Sequence, residues 1–178
     1  MGHIHTEEGQ YDFTSSAFIV RLDEEEPKLL LHMHKKIGKL LQAGGHVELN
    51  ENPWQAVLHE IVEETGYELN QLSVLQPKQI PIVSLPDGIV LPVAACTTTH
   101  GFDLWPGHFH TDSAYVFITN SSPKNLPEEG ESDDLQWFTF NELSEVDEEL
   151  IVENIRMIGK AALTIFLEEW EAMELPTT

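Results

Sequence analysis

The feature that most constrains the fold is a glycine turn followed by a strongly marked helix. Residues 43–45 read Ala-Gly-Gly, and glycine reaches backbone conformations that are closed to other residues. Asn52 is a good helix N-cap, and Pro53 suits the first helical position. Gly66 is a typical C-cap. We therefore predict a helix between residues 52 and 66 that is entered from the glycine turn.

This predicted helix carries both an apolar stripe and a cluster of carboxylates. Four apolar residues recur at helical spacing and predict a buried stripe: Ala56, Val57, Ile61 and Val62. Glu60, Glu63 and Glu64 follow the spacing i, i+3, i+4, which places them on one face of the helix. Like charges this close repel, and Mg²⁺ would compensate for them because it prefers carboxylate oxygens. Taken alone, the triplet is also typical of a solvated acidic face.

The rest of the chain alternates between strand and helix patterns. Apolar and β-branched runs predict strands at residues 14–22, 28–34, 72–75, 79–85, 89–96, 113–119 and 135–140. The first two are expected to form a hairpin, and residues 97–110 and 120–134 are expected to be loops. Residues 148–174 predict a long amphipathic C-terminal helix. The pattern favours one layered α/β (α+β) domain over residues 1–178.

Charge and cysteine content narrow the classes of partner. The net charge is −22, from 31 acidic and 9 basic residues, so the chain would repel nucleic acids and anionic membrane surfaces. No apolar run approaches the length of a membrane span, and the start of the chain lacks the apolar stretch of a secretory signal. Cys96 is the single cysteine, which fits a reducing compartment. We expect a cytoplasmic protein that binds a small molecule.

The spacing around the carboxylates resembles the Nudix box, G-x5-E-x7-R-E-U-x-E-E-x-G-U, in which U is a bulky aliphatic residue. Seven positions match: Gly45, Glu51, Glu60, Ile61, Glu63, Glu64 and Gly66. The segment 35–48 looks like the usual lead-in to the box, and residues 128–143 look like the late acidic segment of the family. The resemblance covers a core of about residues 14–143. It implies a mixed β-sheet between helices, with the box forming a loop-helix-loop.

The resemblance also implies roles for individual residues. A Nudix hydrolase cleaves the diphosphate linkage of a nucleoside diphosphate joined to another group. Glu60, Glu63 and Glu64 would then bind Mg²⁺, or Mn²⁺, together with the carbonyl of Gly45. Either Glu60 or a late carboxylate would deprotonate the attacking water, and the sequence does not choose between Glu129 and Glu131 as the late ligand or base. The lysines that precede the box are candidates to guide phosphate: Lys35, Lys36 and Lys39.

One departure from the box bears on catalysis. His59 stands where the family has Arg, which normally holds the box carboxylates, and an imidazole lacks the bidentate fork of guanidinium. This substitution raises the alternative of a catalytically weak or inactive Nudix-fold sensor. A further alternative, an isomerase of the isopentenyl diphosphate type, expects a cysteine in the turn that instead reads Ala43-Gly44-Gly45. The substrate is left open, as is the choice between monomer and homodimer.

A group of histidines between the predicted strands carries a weaker signal. His100, His108, His110 and Asp112 could bind zinc, but their spacing matches no standard zinc site, and an exposed loop is the favoured interpretation. His46 is interpreted as part of the turn. Under the family resemblance, Trp105 and Phe109 would shape the substrate pocket.

Overall fold

The structure is a computed structural model that describes residues 7–80, 82, 84–101 and 107–176. Within them the strands are β1 (Tyr11–Arg21), β2 (Lys28–Met33), β3 (Leu40–Leu41), β4 (Ala43–His46), β5 (Ser73–Pro77), β6 (Cys96–Gly101), β7 (Phe109–Thr119), β8 (Leu135–Phe138) and β9 (Trp170–Glu174). The α-helices are α1 (Pro53–Thr65), α2 (Phe140–Glu145), α3 (Glu153–Ala162) and α4 (Ile165–Glu169), and a 3-10 turn spans Leu69–Gln71. Trp105 lies outside the described residues.

Two long strands organise the sheet. β1 and β7 pair in parallel over their whole length, from Tyr11 opposite Phe109 to Arg21 opposite Thr119. Each then has two antiparallel strands along its outer edge. β4 pairs with the first half of β1 and β2 with its end, while β6 pairs with the first half of β7 and β5 with its second half. The sheet is therefore mixed, and the predicted hairpin of β1 and β2 is confirmed.

Helices cover both faces of the sheet. On one face, Trp54, Val57 and Ile61 of α1 pack with alternate residues of the long strands, including Ile19 and Phe117. On the other face, residues of α2 and α3 pack against the strand residues whose side chains point away from α1. This second core contains Leu143, Ile155, Ala162, Phe18, Val20, Ala114 and Val116. This arrangement follows from the period-two alternation of strand side chains. The predicted α+β fold, a mixed sheet between helices, is confirmed.

The predicted C-terminal helix over residues 148–174 is wrong in extent. Helix α3 ends at Ala162, a short α4 follows, and the chain then becomes β9. β9 pairs antiparallel with the free edge of β5 over five residues, from Ser73 opposite Glu174 to Pro77 opposite Trp170. Unpaired backbone groups at a sheet edge offer hydrogen bonds that outweigh the weak local preference for helix. Of the predicted stripe, Leu150 and Ile165 are exposed, while Ile151, Ile155 and Ala162 are buried.

Three local expectations between the core strands are also wrong. The described part of residues 79–85 forms no strand beyond a bridge from Leu85 to Gly88, and the predicted strand over 89–96 begins only at Cys96. Part of the expected loop over 97–110 is strand, because β6 pairs with the start of β7. Long-range pairing with β7 decides these segments, and short apolar runs do not reveal it. Among the residues that the structure describes, no helix has the length and apolar character needed to cross a membrane.

Candidate active site

Helix α1 forms as its end signals predict. The Asn52 side chain accepts hydrogen bonds from the backbone N–H groups of Trp54 and Gln55, and the Gln55 side chain accepts one from the Asn52 N–H. Gly66 ends the helix in the left-handed region, with φ of 73°. Both ends are satisfied, so the helix has a fixed length and a fixed rotation against the sheet. Val62, expected in the buried stripe, is 39% exposed.

Two of the box carboxylates converge on the glycine turn in β4. The backbone N–H of Gly44 donates a hydrogen bond of 2.8 Å to Oε2 of Glu64, which is 7% exposed. A Cβ added at Gly45 would clash with the carboxylate of Glu60. A side chain at position 45 would occupy the space of this carboxylate, so a larger residue there would displace Glu60 from the strand. The turn and the helix face, separate in the sequence, form one site.

Burial and mutual repulsion raise the pKa of both carboxyl groups. Burial raises the pKa of Glu60 to about 7, with further increases from Glu63 and Glu131. Burial likewise raises the pKa of Glu64 to about 8, Glu60 adds to the increase, and the Gly44 hydrogen bond opposes it. Buried carboxylates that repel one another are stabilised by a cation between them. The donor set is all oxygen, which fits a hard divalent ion such as Mg²⁺.

The late acidic loop is tied to the C-terminal end of α1. The Glu128 N–H donates to the carbonyl of Glu63 at 2.7 Å, and the Asn125 N–H donates to the carbonyl of Gly66 at 3.1 Å. Glu131 is half-buried and lies close enough to raise the pKa of Glu60 and Glu64. Glu129 is exposed. The electrostatic coupling therefore favours Glu131 over Glu129 as the late carboxylate of the site.

The three candidate lysines lie around the turn between β2 and β3, but they are placed differently. The ammonium group of Lys35 donates to the carbonyl of Gly130, at 3.1 Å, and to the carbonyl of Glu131. Lys35 thus holds the late acidic loop in position, a function that the sequence did not indicate. Lys36 is exposed and Lys39 is half-buried.

His59 occupies the position of the family Arg and contacts another box residue. Its Nδ1 lies 3.4 Å from Oε2 of Glu51, and its side chain is 73% exposed, whereas that of Glu51 is 12% exposed. The Glu51 carboxylate also accepts a hydrogen bond from the Glu48 N–H at 3.0 Å. His59 therefore touches the box through Glu51, with a single ring nitrogen at the edge of the site.

A groove lies beside the N-terminal end of α1. It encloses about 500 Å³, and its lining comprises Tyr11, Asp12, Phe13, Val47, Glu48, Leu49, Glu51, Asn52 and Pro53. Tyr11 and Phe13 are 51% and 60% exposed, and Tyr11 stacks on Phe109 with ring centroids 5.0 Å apart. The groove thus offers aromatic surface next to Glu51, which lies near the box carboxylates.

The expectation of an exposed histidine loop is wrong. His108, His110 and Asp112 are at most 8% exposed, and His110 and Asp112 belong to β7. Burial and the neighbouring histidines lower the pKa of His110 to about 4. His46 and Asp12 lie beside His108 and His110. Asp12 was not among the residues that the sequence predicted for a site. The available signal was polar residues at every second position of β1 and β7, which marks one polar face of paired strands.

One domain model and several solved structures match most of the chain. The NUDIX domain model matches residues 12–159. A solved NUDIX-family hydrolase from Clostridium perfringens superposes with a TM-score of 0.71 at 35% sequence identity, over 86% of this chain and 97% of that chain. No functionally curated protein matches the sequence significantly.

More distant structures share the fold alone. An Ap4A hydrolase from C. elegans superposes with a TM-score of 0.61 at 17% identity, over 88% of this chain and 98% of that chain. The NUDIX domain of NrtR from Shewanella oneidensis, in complex with ADP ribose, gives a TM-score of 0.60 at 15% identity, over 85% and 86%. Together, the domain match and the 35% identical hydrolase show that the chain belongs to the Nudix family, as a pyrophosphohydrolase of that family.

Proposed function

We propose that this pyrophosphohydrolase cleaves the diphosphate linkage of a nucleoside diphosphate derivative, or of a similar small molecule, with Mg²⁺ as its cofactor. Mn²⁺, which shares the preference for oxygen ligands, is the alternative ion. One observation carries the proposal. Glu60 and Glu64 bury their carboxylates against the glycine turn, where their own repulsion and burial disfavour the ionised form. A site of this kind is stabilised when a divalent cation binds.

In this proposal Glu60, Glu63, Glu64 and Glu131 hold the ion, together with the carbonyl oxygen of Gly45. When bound, Mg²⁺ neutralises the charge of the diphosphate and lowers the pKa of bound water. The protein contributes the geometry. The Gly44 N–H fixes one oxygen of Glu64, and Lys35 fixes the backbone on which Glu131 stands. Fixed ligands reduce the reorganisation that the site needs during the reaction.

The chemical step is a hydrolysis. The oxygen of water forms a bond to one phosphorus, and the P–O bond to the bridging oxygen breaks. The proton of the water passes to a carboxylate oxygen of Glu60 or Glu131, and the leaving phosphate departs with the bridging oxygen. Both are carboxylates at the site, and Glu131 lies close enough to Glu60 to affect its ionisation.

The groove beside α1 is the proposed position for the group attached to the diphosphate. Its volume of about 500 Å³ lies within the usual range for small-molecule sites. The exposed rings of Tyr11 and Phe13 provide surface for stacking a base or another flat group. Lys36 and Lys39 are retained as candidates to attract the phosphates, since they are two of only 9 Lys and Arg residues in the chain.

The test is chromatographic separation of the nucleotide products formed from ADP-ribose, dinucleoside polyphosphates, UDP-sugars and nucleoside triphosphates, with and without Mg²⁺. We expect turnover that depends on Mg²⁺ and falls by about 100-fold or more in Glu64→Gln and Glu63→Gln. Glu149→Gln is the matched control, because Glu149 is exposed and lies outside the box. Full activity in both box variants would refute the assignment of the metal ligands.

A ligand sensor without turnover is the second candidate, and one observation favours it. His59 reaches the box through one contact with Glu51, and the guanidinium that normally orients the carboxylates is missing. Binding of a nucleotide derivative with no Mg²⁺-dependent hydrolysis across the panel would favour the sensor. A cytoplasmic location, the absence of nucleic-acid and membrane partners, and a monomeric or homodimeric state stay predictions.

A further inference from the structure

Four side chains from three strands and a preceding loop meet on the face of the sheet that lies opposite α1. Asp12 of β1 is opposite His110 of β7, and Thr14 of β1 is opposite His46 of β4. Residues paired in this way share a face, so Asp12, His46 and His110 point to the same side of the sheet. His108 precedes β7 and joins them. Gly45 faces α1, so this cluster and the box carboxylates occupy opposite faces.

We propose that Asp12, His46, His108 and His110 form a second metal site, for a transition-metal ion of the Zn²⁺ class. The three histidines each offer a ring nitrogen within 4.8 Å of the other two. Three nitrogens and one carboxylate oxygen form a complete tetrahedral set for Zn²⁺, whereas Mg²⁺ prefers oxygen ligands. The two sites therefore differ in the ions that they select.

The distances between the donor atoms support this geometry. The Nε2 atoms of His108 and His110 are 3.2 Å apart, and Oδ2 of Asp12 lies 3.3 Å from Nε2 of His108 and 3.6 Å from Nε2 of His46. Zinc bonds of about 2.0–2.2 Å at tetrahedral angles place neighbouring ligand atoms about 3.4 Å apart. These three pairs of donor atoms are therefore at or near the spacing of ligands on one zinc ion.

Burial separates this cluster from a chance surface grouping. Asp12, His108 and His110 are 3%, 7% and 8% exposed, and a carboxylate so deeply buried is expected to have a fixed partner. Asp112, also buried, accepts hydrogen bonds of 2.9 Å from Thr14 and Ser16 and is thereby occupied elsewhere. His100 lies across from His110 but is exposed. The ligand set is therefore specific to four residues.

The proposed ion would have a structural effect on the neighbouring site. His46 follows Gly45 directly, so a bond from His46 to an ion held by β1 and β7 would clamp the end of β4. The strand that carries Gly45 would then be fixed against the carboxylate of Glu60. With four protein ligands the site is closed, as structural zinc sites are. The ion is therefore expected to act on stability rather than on the reaction.

The test titrates Co²⁺ and then Zn²⁺ into the metal-free, untagged chain, in which His3 and His5 are replaced by Ala to remove other histidines near the start. We expect one Co²⁺ per chain with the visible absorption of tetrahedral coordination, and we expect Zn²⁺ to displace it.

The Glu60→Gln/Glu64→Gln variant should keep this tetrahedral site. His108→Asn and Asp12→Asn should weaken binding by more than about 100-fold, whereas the control His100→Gln should not. Zn²⁺ should raise the Tm of the wild type and not of Asp12→Asn.

Several outcomes would overturn the proposal. Absence of tetrahedral Co²⁺ in the wild type would leave the contact of His108 and His110 as an N–H···N hydrogen bond only. Unchanged affinity in Asp12→Asn and His108→Asn would also refute it, as would loss of the tetrahedral site in the Glu60→Gln/Glu64→Gln variant. If His108→Asn does not fold, the proposal is judged from the Co²⁺ spectrum of the wild type and the Co²⁺ affinity of Asp12→Asn. None of these results depends on whether the chain hydrolyses a diphosphate.

Discussion

We expect His59 to contribute less to the box than an arginine would, because it makes one contact with a single ring nitrogen. Its Nδ1 is 3.4 Å from Glu51, and the ring is largely exposed. An arginine at this position could reach Glu51 with two parallel N–H groups and keep its charge at all working pH values. A better-held Glu51 would in turn hold the start of the box.

We therefore expect His59→Arg to raise kcat/KM on the order of fivefold, which corresponds to about 1 kcal/mol. The measurement is the rate of Mg²⁺-dependent formation of the nucleotide product from the best substrate. His59→Gln is the control, since it keeps a hydrogen-bonding group without a charge. A His59→Arg rate equal to or below that of the wild type would show that the arginine is dispensable in this chain.

Glu131 and Glu129 are two residues apart but face different surroundings. Glu131 is half-buried and couples to Glu60 and Glu64, while Glu129 is exposed. We expect Glu131→Gln to lower kcat by about 10-fold or more, as loss of a proton acceptor or metal ligand requires, and Glu129→Gln to leave it within about twofold. The measurement is kcat of the two variants at saturating Mg²⁺. A larger loss of kcat in Glu129→Gln than in Glu131→Gln would show that Glu129 is the late carboxylate.

Among the elements, the junction between α1 and the late acidic loop depends on one glycine. Gly66 ends the helix with φ of 73°, and a Cβ there would clash with the carbonyl of Asn125. That carbonyl belongs to the loop whose Asn125 N–H bonds back to Gly66. One glycine therefore sets both the end of the helix and the approach of the segment that leads to Glu131.

Gly66→Ala is expected to lower the free energy of unfolding by about 2–4 kcal/mol, from left-handed strain and overpacking together. Gly38→Ala is a matched control, because Gly38 has φ of 67° with open space around it and should cost about 1–2 kcal/mol. Urea unfolding of both variants gives the comparison. Equal losses would mean that the loop moves away without cost.

Across the whole molecule, the buried carboxylates link stability to pH. The pKa values of Glu60 and Glu64 are raised to about 7 and about 8 in the folded chain, against an ordinary value of 4.5. Burial acts in the opposite direction on His32 and His110: it lowers their pKa to about 4, so these rings bind fewer protons in the folded state below about pH 6.5. Above about pH 6.5 the two carboxyl groups dominate, and the folded state binds more protons than the unfolded state. The free energy of unfolding must then fall as pH rises, by about 1.4 kcal/mol per pH unit for each proton that only the folded state binds.

We expect metal-free protein, kept in a chelator, to lose stability from pH 6.5 to pH 8.5 in urea unfolding. Glu64→Gln should lose less than the wild type, because one raised group is gone, and Mg²⁺ should restore stability at pH 8.5. Glu149→Gln controls for net charge, since Glu149 is exposed. A flat profile in the wild type, or equal slopes in all three proteins, would contradict the raised pKa values.

Local signals in the sequence were sufficient for the box. The caps at Asn52 and Gly66 depend on neighbouring residues, and so does the spacing of Glu60, Glu63 and Glu64, so both could be predicted without the fold. Apolar and β-branched runs were likewise sufficient for β2, for most of β1 and for the second half of β7, because a buried strand needs apolar residues on the covered face. The resemblance to the Nudix family follows from the box, and the mixed sheet between helices is what that resemblance implies.

Three features were decided only by the tertiary structure, because each depends on residues that are far apart in the chain. β9 exists because β5 presents a free edge, and Glu131 reaches the site because Lys35 and the end of α1 hold its loop. The cluster of Asp12, His46, His108 and His110 exists because two long strands align in parallel register. Register and edge pairing are set by the packing of the whole sheet, so no local pattern around any of these residues determines them.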